Sequence, residues 1–299
     1  MTSIVEKAGT AIKEYAPTTD EKRVEPSEQP SFTLDFDELA QQGLFTPNLF
    51  KSQLALELRA VKRRLLRRLG YLRATGDRQQ FRKPGRQRNL VLVTSSRAGE
   101  GKTYNAANLA LSLALEDQIE TLLVDADIPR PKVRKHFGLP EAQGVTDIIR
   151  KPGRLAKSMI WRCEDAPFSI LPEGEQVEKA PELFAGAGSQ RLWTQLSMMS
   201  QDQIVILDAP PVLATPDAVI LAKYVDEIVF VVEANSTPEP AVAAAIEELL
   251  DINPHVSLLL NRCVVGSGGS HYGSYEYYGE KNEKSADARS KEKGKSSDE

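Results

Sequence analysis

An α/β fold, a mostly parallel sheet flanked by helices, is what the 299-residue sequence predicts, and three observations predict it. Apolar runs recur at Asn89–Thr94, Thr121–Val124, Ile204–Leu207, Glu227–Val232 and Val256–Leu260. They are near-continuous in Leu, Val and Ile rather than alternating, as strands buried on both faces require. Segments with helical spacing lie between them, so βα units wind around a parallel sheet. The first run ends in a small-residue loop, Ser96-Arg97-Ala98-Gly99-Glu100-Gly101-Lys102-Thr103, which opens directly into a helix. Strand, glycine loop, helix is the context of a phosphate loop, so the expected fold is P-loop NTPase-like.

Composition sets the outer bounds. Charged residues make up 27% and hydrophobic ones 41%, as in an ordinary globular protein. A formal net charge of −4 gives no global pull toward nucleic acid. No apolar run approaches the roughly 20 residues that span a bilayer. The first residues lack the apolar core of a signal peptide. Cys163 and Cys263 are without metal-ligand spacing and read as reduced thiols. A cytoplasmic location is expected.

Four regions follow in order. Residues 1–50 read as a flexible N-terminal region, polar and proline-containing to about residue 30, with a short docking segment over Phe32–Leu44. Residues 51–88 hold an amphipathic helix and linker. Leu54, Leu58, Val61, Leu65, Leu69 and Leu72 form one apolar stripe, which predicts a helix over Gln53–Leu72. Its other face is basic, with Arg59, Lys62, Arg63, Arg64, Arg67 and Arg68, and Arg73, Arg78, Arg82, Lys83, Arg86 and Arg88 follow. As single residues they read as a solvated face. As a group they suggest an acidic partner surface, anionic lipid headgroups or nucleic acid, the last disfavoured by the lack of interleaved aromatics.

Residues 89–265 carry the core. After the glycine loop, Asn105–Leu115 is an Ala-rich helix. Shorter helices are expected at Val145–Ile149, from Pro181, at Gln190–Met199, Pro216–Ala222 and Pro238–Leu250, with a further strand at Phe168–Pro172. His136 reads as a surface or capping residue. Residues 266–299 form a Gly/Ser-rich and then charged tail, read as disordered. Of eight tyrosines in the chain, Tyr272, Tyr275, Tyr277 and Tyr278 fall within one heptapeptide of it.

The chemistry rests on the loop and three carboxylates. Lys102 is placed to reach the β- and γ-phosphates and Thr103 to hold Mg²⁺. Ser96 stands where the usual pattern has Gly. Asp125 and Asp127 follow one core strand and Asp208 another, and the carboxyl ends of parallel strands line the ligand crevice. Each Asp either caps the next turn or faces a metal beside the phosphates; for Asp127 the two readings balance, and for Asp208, after four apolar residues and before Pro-Pro, the functional one is favoured.

These stretches resemble a known family. Ser-x-x-Gly-Glu-Gly-Lys-Thr, Leu-Leu-Val-Asp-x-Asp and Ile-Val-Ile-Leu-Asp-x-Pro-Pro are similar to the Walker A, A′ and B motifs of bacterial tyrosine kinases, the autokinases of capsule and exopolysaccharide export. His136-Phe137-Gly138-Leu139, Leu171-Pro172-x-Gly174 and the tyrosine-rich tail extend the resemblance over roughly Gln53–Tyr278. The sequence looks most like the free-standing form of exosortase-type loci. The resemblance implies ATP and Mg²⁺ as cofactors and Lys102, Asp125, Asp127 and Asp208 as the catalytic set. It implies nucleotide contacts from Ala98, Gly99, Glu100, Gly101, Lys102, Thr103, Tyr104 and Asn261, metal contacts from Thr103, Asp127 and Asp208, and autophosphorylation of Tyr272, Tyr275, Tyr277 and Tyr278. Asp125 would serve as base or orienter for the incoming phenol.

Partners implied are a transmembrane chain-length-determinant activator, a cognate tyrosine phosphatase and further copies in a homo-oligomer such as a ring, peripheral to the inner membrane; no nucleic acid is expected. Three departures stand out. Ala98 replaces a common Pro, Pro129 occupies the Arg position of Asp-x-Asp-x-Arg with Arg130 one later, and Leu56 occupies the Glu position of the oligomerisation motif Glu-x-x-Arg-x-x-Arg. Arg97 sits where ParA/MinD-type ATPases have their signature Lys. A positioning ATPase without kinase activity is therefore the alternative function, and a binding module without turnover a third.

Overall fold

The computed structural model describes residues 29–49, 51–71, 88–116, 118–151, 153, 156–200 and 202–263. Residues 1–28, Leu72, the basic residues of 73–86 and the tyrosine cluster lie outside the described residues. Strand β1 (Ser31–Phe32) precedes helices α1 (Phe36–Gln41) and α2 (Gln53–Arg68). Then come β2 (Leu90–Ser95), α3 (Lys102–Ala114), β3 (Glu120–Asp125), α4 (Val133–His136), α5 (Val145–Arg150), β4 (Trp161–Cys163) and β5 (Phe168–Leu171). The remainder is α6 (Ala180–Ala185), α7 (Ala187–Met198), β6 (Gln203–Asp208), α8 (Asp217–Ala222), β7 (Glu227–Glu233), α9 (Glu239–Leu250) and β8 (Val256–Asn261).

The eight strands form one sheet in the order β1-β4-β5-β3-β6-β2-β7-β8. Every pairing is parallel except β4 with β5. Alternate residues of the central strands point to opposite faces, and both faces are covered. Leu90, Leu92, Leu122, Val205, Leu207 and Phe230 pack with side chains of α5 to α9, including Phe184, Trp193, Leu221 and Leu249. Val91, Val93, Leu123, Ile204, Ile206 and Val229 pack with α2 and α3. A strand buried on both sides has no polar face to show, which is why these runs read as continuous Leu/Val/Ile.

The α2 stripe buries Leu58, Leu65 and Leu69 in the same cluster as Leu109 and Leu113 of α3. The helix is therefore part of the nucleotide domain's core rather than a separate module. It is capped by Ser52, whose side chain accepts from Ala55 N. It ends at Arg68, short of the expected Leu72. Gly70 adopts φ +86°, Gly70 N donates to Arg67 O at 3.2 Å and Tyr71 N to Leu66 O at 2.8 Å. That is a Schellman stop, which a glycine makes and a leucine cannot.

The N-terminal region departs further from expectation. Residues 29–49, placed by sequence in a flexible segment, are built into the domain. Arg162 N donates to Pro30 O and Glu164 N to Phe32 O, which adds β1 to the sheet edge. Phe32 sits edge-on to Phe168 at 6.2 Å. Leu39, Leu44 and Phe45 are buried, Phe45 N donates to Asn108 Oδ1 at 2.6 Å, and Tyr104 OH donates to Gly43 O at 2.8 Å. The docking segment docks on its own helix α3.

Two family stretches have local physical reasons. His136-Phe137-Gly138-Leu139 ends α4: Gly138 has φ +64°, Gly138 N donates to Lys135 O and Leu139 N to Arg134 O. His136 is half-buried in that last turn, its Nδ1 2.8 Å from Gln42 Oε1; burial, then Lys132, pulls its pKa down. Gly174 follows β5 with φ +85° where a Cβ would lie 2.5 Å from Asp147 Oδ2. That carboxylate accepts from Gly144 N at 3.0 Å and Glu175 N at 3.2 Å, tying the loop to the start of α5. Cys163 is buried, Cys263 exposed, and both are free thiols.

Candidate active site

Parallel pairing brings three strand ends together. β6 lies between β2 and β3, with Asp208 opposite Val93 on one side and Asp125 on the other. The glycine loop leaves β2 on that edge. Val212 N donates to Ser95 O and Leu213 N to Ser96 O, so the Asp208-Ala-Pro-Pro stretch is zipped to the root of the loop.

The loop is held by its own glutamate. Glu100 Oε1 accepts from Ser96 Oγ at 2.8 Å and from Thr237 Oγ1 at 2.6 Å, and Oε2 accepts from Arg97 N at 2.8 Å. Ser96 thus fills the usual glycine position with a buried hydroxyl that has a partner. Glu100 is expected among the nucleotide contacts; its carboxylate is buried and faces into the loop, which leaves a contact to its backbone. Gly99 and Gly101 take φ +93° and +94°, which only glycine adopts without strain. Asn261 Nδ2 donates to Glu100 O at 2.9 Å, and a Cβ on Gly101 would lie 2.1 Å from that nitrogen. Asn261, at the end of β8, therefore braces the loop. The side chains of Arg97 and Ala98 are exposed. Tyr104 turns its hydroxyl away, to Gly43 O, and burial raises its pKa.

Below the loop lies a buried charge cluster. Lys102 Nζ binds Asp127 Oδ2 and lies 3.8 Å from Asp208 Oδ1 and 3.5 Å from Thr103 Oγ1. Burial alone would lower the lysine pKa, but Asp208 and Asp127 outweigh it and the net shift is upward. Asp208 is fully buried with the Thr103 hydroxyl beside it, and among the described residues neither carboxylate oxygen has a hydrogen-bond partner within normal distance and angle. Burial lifts its pKa to about 6 against the pull of Lys102. Orphaned buried carboxylate oxygens beside a hydroxyl suit a hard divalent cation, which favours oxygen donors and keeps several waters. Among the described residues no three His, Cys, Asp or Glu side chains form a closed metal cluster.

Asp125 differs from the other two. Its Oδ2 accepts from Lys132 N and Val133 N, each at 2.9 Å, and its Oδ1 from Asp127 N at 3.2 Å. It caps the start of α4 and fixes the turn that carries Asp127. Burial, and next the charge of Asp208, raises its pKa well above the usual carboxylate range. Asp127 itself accepts from Arg130 N at 3.2 Å. The Arg130 side chain is exposed and makes no ion pair among the described residues, so only its backbone reaches the cluster. One carboxylate escaped the sequence reading. Asp217, the first residue of α8, is fully buried, and burial pushes its pKa up. Its signal was Thr-Pro-Asp just after Asp208, which reads equally well as a surface helix cap.

No family model matches the chain. Individual proteins do. Over 202 residues it is 31% identical to tyrosine-protein kinase YwqD of Bacillus subtilis (strain 168), covering 68% of this chain and 82% of that one. It is 26% identical over 191 residues to the putative tyrosine-protein kinase CapB of Staphylococcus aureus, covering 64% and 81%. Longer relatives are matched over only part of their length, as with tyrosine-protein kinase wzc of Salmonella typhi, of which 26% is covered. Among solved structures, the VpsO kinase domain aligns at 31% identity and TM-score 0.55, covering 59% of this chain and 86% of that one. The chimerical protein CapA2B2 shares the fold at 23% identity and TM-score 0.59, covering 76% and 98%. Identity at this level across four-fifths of a tyrosine kinase, on a sheet that gathers the phosphate loop, Asp125, Asp127 and Asp208 at one edge, places this chain in the bacterial tyrosine-protein kinase family.

Proposed function

We propose that this edge of the sheet transfers the γ-phosphoryl group of ATP to tyrosines of the chain's own C-terminal cluster, in the service of exopolysaccharide or capsule export. The observation that carries the reading is Asp208: a buried carboxylate with two orphaned oxygens, next to Thr103 and Lys102 at the root of a phosphate loop. Backbone N–H groups of Gly99 to Thr103, at the start of α3, provide the anion cradle. Lys102 supplies the cation for the β- and γ-phosphates. Thr103 and Asp208 would hold Mg²⁺, with Asp127 beside them. When bound, that ion neutralises charge developing on the phosphates.

Asp127 and Asp208 keep Lys102 protonated, so the loop presents a full positive charge. Asp125 takes the orienting role, since its oxygens are already committed to three backbone N–H groups. The acceptor phenol has a pKa near 10 and is un-ionised at neutral pH. It must be aligned in line with the leaving oxygen, and positioning supplies most of the catalysis in such reactions. Asn261 reaches the same loop, and its side-chain amide is our choice for a contact to the purine.

Tyr272, Tyr275, Tyr277 and Tyr278 are the proposed acceptors. From Leu260 to Tyr278 is 18 residues, at most about 60 Å extended, so a site in the same chain and one in a neighbour are both within reach. Each phosphate adds about −1.5 to −2 charge. Progressive modification would then push the tail off acidic surfaces and loosen a homo-oligomer. Family membership supports a membrane-embedded activator and a cognate phosphatase. No helix among the described residues is long and apolar enough to cross a membrane.

Incubation of the purified protein with Mg-ATP, followed by phosphotyrosine mapping, tests the reading: phosphate must appear in the tail cluster. Phosphate release without phosphotyrosine would instead establish the positioning ATPase, which the exposed Arg97 at the signature-lysine position and the basic face of α2 favour. Mixing a Lys102→Met chain with a tail-truncated active chain tests transfer between molecules; absence of phosphotyrosine on the Lys102→Met chain would rule it out.

A further inference from the structure

Helix α2 uses its basic residues in two ways. Lys62 is buried; its Nζ donates to Ser112 O at 3.0 Å and pairs with Glu116 at 2.8 Å. Arg68 pairs with the buried carboxylate of Glu227. Arg59, Arg63, Arg64 and Arg67 do neither. They are exposed and make no ion pair among the described residues. At about 100° per residue, Arg63 and Arg67 fall on the outward line of the helix with Leu56 and Ala60, flanked by Arg59 and Arg64. Leu58 and Leu65 face the opposite way, into the core. Leu56 is 51% exposed. The helix's own acid, Glu57, sits to the side and accepts from Gln53 Nε2 at 2.7 Å.

The charge is also segregated along the chain. Residues 59–88 hold twelve Lys and Arg against one Asp, while the whole chain has a net charge of −4, which leaves −15 for the rest. Such a molecule is repelled by an anionic surface in most orientations and attracted in one.

We propose that the outward face of α2 is an electrostatic docking surface for an anionic lipid bilayer. Arg59 to Arg67 spans about 12 Å of helix axis, and a bilayer offers a plane of phosphates to all four guanidinium groups at once. Leu56 and Ala60 between them are cheap to desolvate and allow close approach to the headgroups. The apolar stripe of α2 is already consumed inside the domain, so the helix lies on the surface without deep insertion. Nucleic acid fits less well, because this face has no aromatic side chain for base stacking. Each basic residue near such a surface strengthens binding about fivefold, so four give a reversible attachment that salt weakens.

The test is co-sedimentation of the full chain with vesicles of phosphatidylcholine alone and of phosphatidylcholine with about one-third phosphatidylglycerol. Binding is expected only to the anionic vesicles, falling at least about tenfold between roughly 0.05 and 0.3 M salt. The fourfold variant Arg59→Gln, Arg63→Gln, Arg64→Gln, Arg67→Gln should lose about a hundredfold or more. The charge-conserving pair Arg63→Lys and Arg67→Lys should bind like the parent. Equal binding to neutral vesicles, salt-insensitive binding, no binding to anionic vesicles, or undiminished binding by the fourfold variant would each overturn the proposal. So would arginine-dependent binding to duplex DNA with none to vesicles.

Discussion

Thr237 Oγ1 donates to Glu100 Oε1 at 2.6 Å, joining two residues 137 apart in sequence. Because the same carboxylate also takes Ser96 Oγ and Arg97 N, the shape of the phosphate loop depends on a side chain from the β7–α9 connection. Thr237→Val removes one of three donors and should weaken ATP binding about three- to tenfold, the value of roughly 1 kcal/mol for one hydrogen bond to a charged group's network. Glu100→Ala strands all three donors and should cost more, in both ATP affinity and thermal midpoint. Titration with a fluorescent ATP analogue and calorimetry of the two variants check the order.

Gly101→Ala should abolish nucleotide binding. The backbone there has φ +94°, which costs an L-residue about 1–2 kcal/mol, and the new methyl would meet Asn261 Nδ2 at 2.1 Å. Adding Asn261→Gly removes the clash but not the backbone strain. The double variant should recover part of the lost stability in urea unfolding and little of the activity.

Asp208 makes stability depend on pH. Its pKa is raised from 3.8 to about 6 by burial, with Lys102 opposing. The unfolded chain therefore ionises this group first. The contribution is fully present below the unfolded value and is lost as pH rises through about 6. Without nucleotide and Mg²⁺, stability should fall by roughly 3 kcal/mol from this group between pH 4 and 7. Asp208→Asn should flatten that slope, keep ATP binding and lower tyrosine phosphorylation at least about a hundredfold. Urea titrations across the pH range and a phosphotyrosine assay read the two effects separately.

Lys102→Met should do the opposite to the pH profile. It leaves Asp127 and Asp208 buried with no cation, a loss of about 3–5 kcal/mol where both would be ionised. The cost should shrink at pH 5, where Asp208 takes up a proton. Denaturant midpoints at pH 8 and pH 5 decide this.

Neighbouring basic residues on α2 should behave differently. Lys62→Gln breaks a buried pair with Glu116 and a bond to Ser112 O, so about 1–3 kcal/mol of stability should be lost. Arg63→Gln alters only an exposed side chain and should change stability by less than about 0.5 kcal/mol. Parallel thermal melts of the two variants are sufficient.

The core strands and the phosphate loop were legible because burial on both faces leaves a continuous apolar run, and because glycine is the residue a tight anion cradle demands. The α2 stripe was legible for its length, and its end was not: the helical spacing of Leu72 outweighed Gly70, although glycine is the stronger stop signal. β1 and β4 span two and three residues, too few for any periodicity to register. Among the carboxylates, the residue pattern placed all three on one edge and favoured Asp208 for its place before Pro-Pro, while their separate roles came only from the family resemblance. Asp125 is distinguished by Lys132 and Val133 turning their N–H groups back onto it, a property of the chain's path and not of its local spelling. Likewise Ser96 and Glu100, four residues apart, could be paired on paper, whereas the third member, Thr237, comes from across the sheet.

The N-terminal strap over α3 has a practical consequence for dissection of the protein. A fragment beginning at Asn89, where the apolar runs start, would strip α1 and α2 from the helix that begins at Lys102. Leu109 and Leu113, which touch those elements in the intact core, would then face solvent. A piece that keeps this core has to include α1 and α2, and products beginning at Asn89 should aggregate whatever their catalytic residues.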